Sequence, residues 1–241
     1  MIIVRSRKEI LWTLIFAVAG LSLGISLKFV PFMNVFQTKD KTLTVVIDAG
    51  HGQPDGGTVG INGTIEEKIN LEIAHKTAEV LSGKNIKVVM TRVTNDCLCE
   101  NKENKTIRQM KKEDMNKRLD IIKKSDADLF VSIHMNYYQN SSVDGLRLFY
   151  DGKHRETQKL AEYIQKRMSE VTGAGMYAVK ASDQSLFLMK NTPVPAVLVE
   201  CGFLSNAEEE KKLNDSDYQA RIAWAIADAV EKYYQNINHK L

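Results

Sequence analysis

Cysteine and net charge are both scarce in this chain. Its 241 residues carry a formal charge of +3 at pH 7. Arg5, Arg7 and Lys8 alone equal that excess, and no RNA- or DNA-binding signature is present, so nucleic acid is excluded as a partner. The chain has three cysteines, Cys97, Cys99 and Cys201. An odd number outside the cytoplasm leaves at least one thiol unpaired. Cys97 and Cys99 are separated by one residue, a spacing poor for a mutual bridge, and read as surface-loop residues able to pair with another chain. Cys201 lies in an apolar run and reads as a small core residue. The glycine-rich stretch "GHGQPDGG" lacks the Lys-Ser/Thr of a P-loop, and no GxGxxG is present, which removes the phosphate-cradle reading. Internal repeats and low-complexity segments are missing as well.

What is present suits a globular domain with an appendage. Hydrophobic residues make up 44% and charged residues 26%, both ordinary values. Residues 1–9 form a basic flank, and 10–27 an uncharged run of 18 residues. That run is near the lower length for a membrane-spanning helix, and the flank is expected to stay in the cytoplasm while the rest is exported. A cleaved signal peptide, cut near "AVA" at Ala17–Ala19, is the competing expectation, but the apolar run continues past it. An uncleaved signal anchor is preferred, and no cysteine follows to make a lipoprotein signal. Residues 28–41 read as a tether and 42–236 as the globular domain.

Within that domain the pattern alternates. Residues 42–48, 86–92, 127–133, 145–151, 185–189 and 195–203 read as strands. Helical spacing appears over 65–83, 111–125, 155–171 and from Tyr218 to about Tyr234. The lysine-rich 111–125 helix reads as a solvated face rather than as a contact for an anionic polymer. Strands separated by helices predict a single α/β domain with a twisted, mostly parallel sheet flanked by helices. In such sheets ligands gather where strand ends meet loops.

The chemistry-bearing residues sit at those ends. His51 follows the first strand, His134 follows "ADLFVSI", and the pair Glu66–Glu67 opens the first helix. Glu200 stands inside "PAVLVECGFL", where burial would cost several kcal/mol unless the carboxylate is paired or near a metal. Two imidazoles and one carboxylate are a common ligand set for catalytic zinc, and a second carboxylate can carry the proton of a zinc-bound water. His75 and His154 read as ordinary surface histidines. Gly50 and Gly52 are expected to bend the chain so that His51 points back over the sheet edge, with Asp48 holding its ring.

These segments, "IDAGHG", "EEKINL", "TR", "SIHMN" and "LVECGFLSN", resemble in order the motifs of zinc-dependent N-acetylmuramoyl-L-alanine amidases of the Amidase_3 type, over roughly residues 43–235. The single N-terminal apolar segment, the absence of wall-binding repeats and "KKEDMNKRLDII" are similar to the sporulation- and germination-associated subgroup named CwlD. The resemblance implies one Zn2+ per chain held by His51, Glu66 and His134, with Glu200 as catalytic acid/base. It selects Glu66 over Glu67 because the family acid lies four residues before the Asn of "INL", here Asn70. It implies hydrolysis of the lactyl–L-alanine amide of peptidoglycan, in spore cortex on the way to muramic-δ-lactam. Two departures stand out: Gln53 replaces a frequent glycine, and 172–184 lacks an arginine common in that stretch.

The alternatives are a zinc peptidase acting on stem peptides and a membrane-anchored wall-binding protein without catalysis. The expected partners are peptidoglycan, the membrane through the N-terminal helix, and an activator protein that completes a site built on separate elements. The catalytic domain is expected outside the cytoplasm, membrane-anchored or secreted. In a sporulating cell that is the intermembrane space of the forespore.

Overall fold

The computed structural model describes residues 42–154, 156–183 and 185–238. The segment expected to span the membrane, its flank and the tether lie outside them. Among the described residues no helix is long and apolar enough to cross a membrane.

Six strands form one sheet in the order β2-β1-β3-β6-β4-β5. They are β1 (Thr44–Ala49), β2 (Lys87–Met90), β3 (Leu129–Asn136), β4 (Arg147–Tyr150), β5 (Lys180–Ala181) and β6 (Ala196–Phe203). The sheet is mixed: every pairing is parallel except β4–β6, which is antiparallel. The helices are α1 (Glu66–Gly83), α2 (Ile107–Lys124), α3 (Thr157–Thr172), α4 (Phe187–Asn191), α5 (Ala207–Leu213) and α6 (Ser216–Asn238).

Strand side chains alternate between faces, and that alternation divides the molecule. Val45, Ile47, Val131, Ile133, Val197, Val199 and Cys201 point into a large core against Ile69, Ile73 and Leu81 of α1, Leu160 and Ile164 of α3, and Ile222 and Ile226 of α6. Their neighbours Val46, Phe130, Ala196 and Leu198 point the other way, into a smaller core with Leu119 and Ile122 of α2 and Leu188 and Met189 of α4. The same parity sends Asp48, His134 and Glu200 to the face of the smaller core, near the carboxyl ends of the parallel strands. Cys201 is fully buried on the opposite face.

Several local expectations are corrected. The run 185–189 is not a strand: its second half forms the short helix α4, and Leu188 and Met189 cover Phe130 and Leu198. A five-residue run with four apolar residues carries too little periodicity to separate the two. Helix α2 begins at Ile107, because Thr106 and Gln109 form a reciprocal capping box. Helix α5 and strand β5 escaped the sequence reading; α5 is capped by Asn206, whose side chain accepts from the N–H groups of Glu208 and Glu209. Cys97 and Cys99 are bridged to each other and buried with Met110, not surface-exposed. The loop brings their Cα atoms to 5.3 Å, within the range a disulfide spans. The segment is held by Cys97 N–H donating to the Gln53 carbonyl and Leu98 N–H donating to Asp114.

Candidate metal centre and active site

Three side chains converge at the carboxyl end of the sheet. Those of His51, Glu66 and His134 offer donor atoms that all lie within 4.8 Å of one another. Glu66 Oε1 is 3.3 Å from His51 Nε2 and 3.1 Å from His134 Nδ1. The two rings meet edge to face, with centroids 5.1 Å apart. Glu66 is buried, and its Oε1 also accepts from the Met135 N–H, while Asn70 one turn along α1 donates to it at 3.3 Å. Glu67 turns away: it accepts from the Gln53 side chain at 3.0 Å and lies 3.8 Å from Arg92.

The loop after β1 bends at Gly52, which holds a φ of 155°, and is braced by backbone capture. His51 itself holds a positive φ of 62°, which few non-glycine residues adopt. Two buried guanidinium groups brace it. Arg92 donates to the carbonyls of Ala49, Gly50 and Glu67. Arg118 donates to those of Ala49 and His51, and pairs with Asp48 and Asp114. Gly50 serves a different end from the one expected: a Cβ there would overlap the His134 ring. A Cβ on Gly57, which has φ 71°, would crowd Glu66 and His51. Asp48 does not hold the His51 ring. Its carboxylate takes Arg118, Thr91 and Ser132 instead. The acid beside His51 is Asp55, 3.1 Å from Nδ1 in an ionic contact rather than an aligned hydrogen bond.

The electrostatics favour positive charge at this point. Burial alone would lower the His51 pKa, but the carboxylates of Asp55 and Glu66 overcome it and raise it to about 9. Burial would raise the pKa of Glu66, but the two histidines hold it far below the usual carboxylate range. A nitrogen–nitrogen–oxygen donor set this demanding of a cation fits zinc. Metal binding would displace the proton that the cluster otherwise retains.

Glu200 stands beside His134 on the neighbouring strand, the two being register partners in the β3–β6 ladder. Its Oε2 is buried and has no hydrogen-bond partner. Burial, then the negative charge of Glu66, push its pKa well above normal, against the opposing pull of His51 and Arg147. A carboxyl whose pKa is pushed upward beside a cation site is suited to proton transfer. Two cavities meet at Glu200. One, of about 360 Å³, reaches past His51 and His134 to the apolar Met115, Phe130 and Phe187. The other, of about 680 Å³, is lined by Asn136, Arg147, Tyr177 and Lys180. His75 contacts the Val93 carbonyl and His154 pairs with Asp151, so neither joins the site.

The sequence reading did not single out Asp55, Arg118 or Arg147. Asp55 carried a signal, lying four residues after His51 in the same glycine-rich loop. Arg118 did not, since it is masked by lysines on a helix with a solvated face.

A match to the Amidase_3 family, described as N-acetylmuramoyl-L-alanine amidase, covers residues 45–232. The chain belongs to this family of peptidoglycan amidases. It is 33% identical over 190 residues to the germination-specific N-acetylmuramoyl-L-alanine amidase of Bacillus subtilis, covering 79% of each chain. Among solved structures it is similar to the CwlD amidase from Clostridioides difficile in complex with the GerS lipoprotein, at 37% identity and TM-score 0.77, covering 80% of this chain and 99% of that one. The catalytic domain of CwlV, an amidase from Paenibacillus polymyxa, matches at 32% identity and TM-score 0.69, with coverage of 80% and 99%.

Proposed function

We propose that this amidase cuts the bond between the lactyl group of N-acetylmuramic acid and L-alanine in spore cortex peptidoglycan, using one zinc ion, and so supplies stripped muramic acid for conversion to muramic-δ-lactam. The observation that carries the chemistry is the convergence of His51, Glu66 and His134 beside the unpartnered carboxyl of Glu200. The cortex assignment rests on likeness to the germination-specific relative.

His51, Glu66 and His134 would hold the metal. Bound there, zinc would supply a water of lowered pKa, roughly 7, and Lewis acidity toward the carbonyl. The chain's own residues do the rest. Asp55 sets the His51 ring through Nδ1, and Asn70 fixes Glu66 one helical turn away. Glu200 accepts the water's proton at its free oxygen and returns it to the departing alanine amine. Its depressed acidity suits both halves of that transfer. Cys201, on the opposite face of β6, takes no part.

We also propose that residues 10–27 anchor the enzyme with its catalytic domain outside the cytoplasm, and that a protein partner assists it. The relative solved together with a lipoprotein supports such a partner.

The test uses the full chain in detergent, with purified peptidoglycan and products read by mass spectrometry. Stem peptides with free N-terminal alanine are expected, lost on chelation and restored by zinc. Glu200→Gln should lower the rate by about 10²–10⁴-fold while zinc content stays stoichiometric. Cleavage inside the stem peptide, or activity indifferent to chelation, would overturn the proposal.

A further inference from the structure

We propose that Arg147, braced on Tyr177 and assisted by Lys180, binds a free carboxylate of the stem peptide and makes the enzyme selective for acidic over amidated peptides. This rests on the amidase reading above.

Arg147 lies directly opposite Glu200 across the antiparallel β4–β6 ladder. Residues so paired project from the same face of a sheet, so Arg147 flanks the position where the amide is cut. Its guanidinium lies 4.6 Å over the Tyr177 ring and 5.6 Å from that of Phe203. The two rings are themselves edge to face at 6.4 Å. An aromatic seat holds a guanidinium in one plane and leaves its N–H edge available.

No carboxylate claims that edge. Arg147 makes no ion pair and no side-chain hydrogen bond among the described residues, in contrast to Arg92, Arg118 and Arg167, which are all engaged. Lys180, on the edge strand beside it, lines the same cavity and is likewise unpaired. Asp183, the acid at the rim, is occupied by the N–H and hydroxyl of Ser185. The 680 Å³ cavity therefore presents two cations that make no ion pair among the described residues, with Glu200 and Asp183 as the carboxylates of its lining.

The chemistry of the substrate decides which half belongs there. In the uncleaved substrate the lactyl carboxyl of the muramoyl group is tied up in the amide, so that side carries no negative charge. The peptide side carries the carboxylates. The cavity of Arg147 and Lys180 suits the peptide, and the smaller one, where Lys111 is already paired with Asp55 and Met115, Phe130 and Phe187 form an apolar wall, suits the uncharged muramoyl side. A guanidinium grips a carboxylate through two parallel N–H bonds and cannot do so with a carboxamide.

The experiment compares two muramoyl dipeptides with the full chain in detergent. One keeps its peptide carboxylates, and in the other they are carboxamides. Mass spectrometry scores cleavage at the lactyl–alanine bond in both. The wild type is expected to favour the acidic compound by about tenfold or more in kcat/KM, the worth of a charge-assisted pair. Arg147→Gln should collapse that ratio toward one, mainly through a higher KM for the acidic compound. Arg147→Lys should restore part of it. Lys180→Gln, on an exposed edge, should shift the ratio the same way by less. Equal cleavage of the two compounds by the wild type would overturn the proposal and leave the amidase reading intact. So would a ratio unchanged in Arg147→Gln. Cleavage at another bond in both compounds would sink both readings.

Discussion

Single atoms decide much of this site. At position 50 the missing Cβ is what lets the His134 ring lie against the loop after β1. Gly50→Ala is therefore expected to displace a proposed metal ligand without replacing any titratable residue. Zinc content measured after dialysis should drop below one per chain, and cleavage should fall with it. A variant that keeps full zinc and full rate would show that the ring has room elsewhere. His51, His134 and Glu200 were legible by position: a histidine among glycines, a histidine closing an apolar strand and an acid inside another. Glu66 was not, because an acid in the first turn of a helix is ordinary, and only the family resemblance separated it from Glu67. Asp48 shows the limit of that reasoning. It lies close to His51 in sequence, but the strand's alternation points it at Arg118, and the His51 contact falls to Asp55 in the turn.

At the scale of elements, α2 does more than cover the sheet. Arg118, fully buried, ties this helix to β1 through Asp48 and to the site loop through two carbonyls. Replacing it with Met would leave Asp48 and Asp114 without their cation, a loss of about 3–5 kcal/mol for a buried pair. Urea denaturation should show the midpoint falling by a corresponding amount. Arg118→Lys should recover the charge but not the forked contacts, and so only part of the stability. A surface-like change within experimental error would mean that the helix is held by its apolar stripe alone. The sequence hid this role because lysines crowd the same helix and one arginine among them carries no periodic mark. The start of α2 at Thr106 was missed, because the polar stretch before 111 shows no apolar period although it carries a T-x-x-Q capping pattern, and α4 was missed because so short an apolar run fits strand and helix equally.

For the whole molecule, Asp48 links acid stability to the buried centre of the fold. Burial would raise its pKa, but Arg118, Ser132 and Thr91 outweigh this and hold it down to about 2. The unfolded value is higher, near 3.9, so the folded state prefers the charged form. This contribution, roughly 2 kcal/mol, is complete above the unfolded pKa. It declines as pH falls through that value and is gone below the folded one. Melting temperatures followed through that acid range should drop more steeply for the wild type than for Asp48→Asn; parallel curves would refute the assignment. The α/β layering was legible because strands and helices alternate along the chain with distinct periods. The reversal of β4 and β5 was not, since direction within a sheet leaves no trace in composition.

The division of the sheet into a catalytic face and a sealed face also sets rules for how this lineage can change in length. Along β6, Glu200 and Cys201 differ by one step and face opposite ways. Deleting one codon between Ala196 and Val199 would present a thiol to the cavity and drive a carboxylate into the large core. Loss or gain of single residues is therefore expected to accumulate in the connections, such as 137–146 and 173–179, and to be purged from β1, β3 and β6. Substitutions can be tried there one at a time, but a shift of frame by a single residue abolishes site and core together.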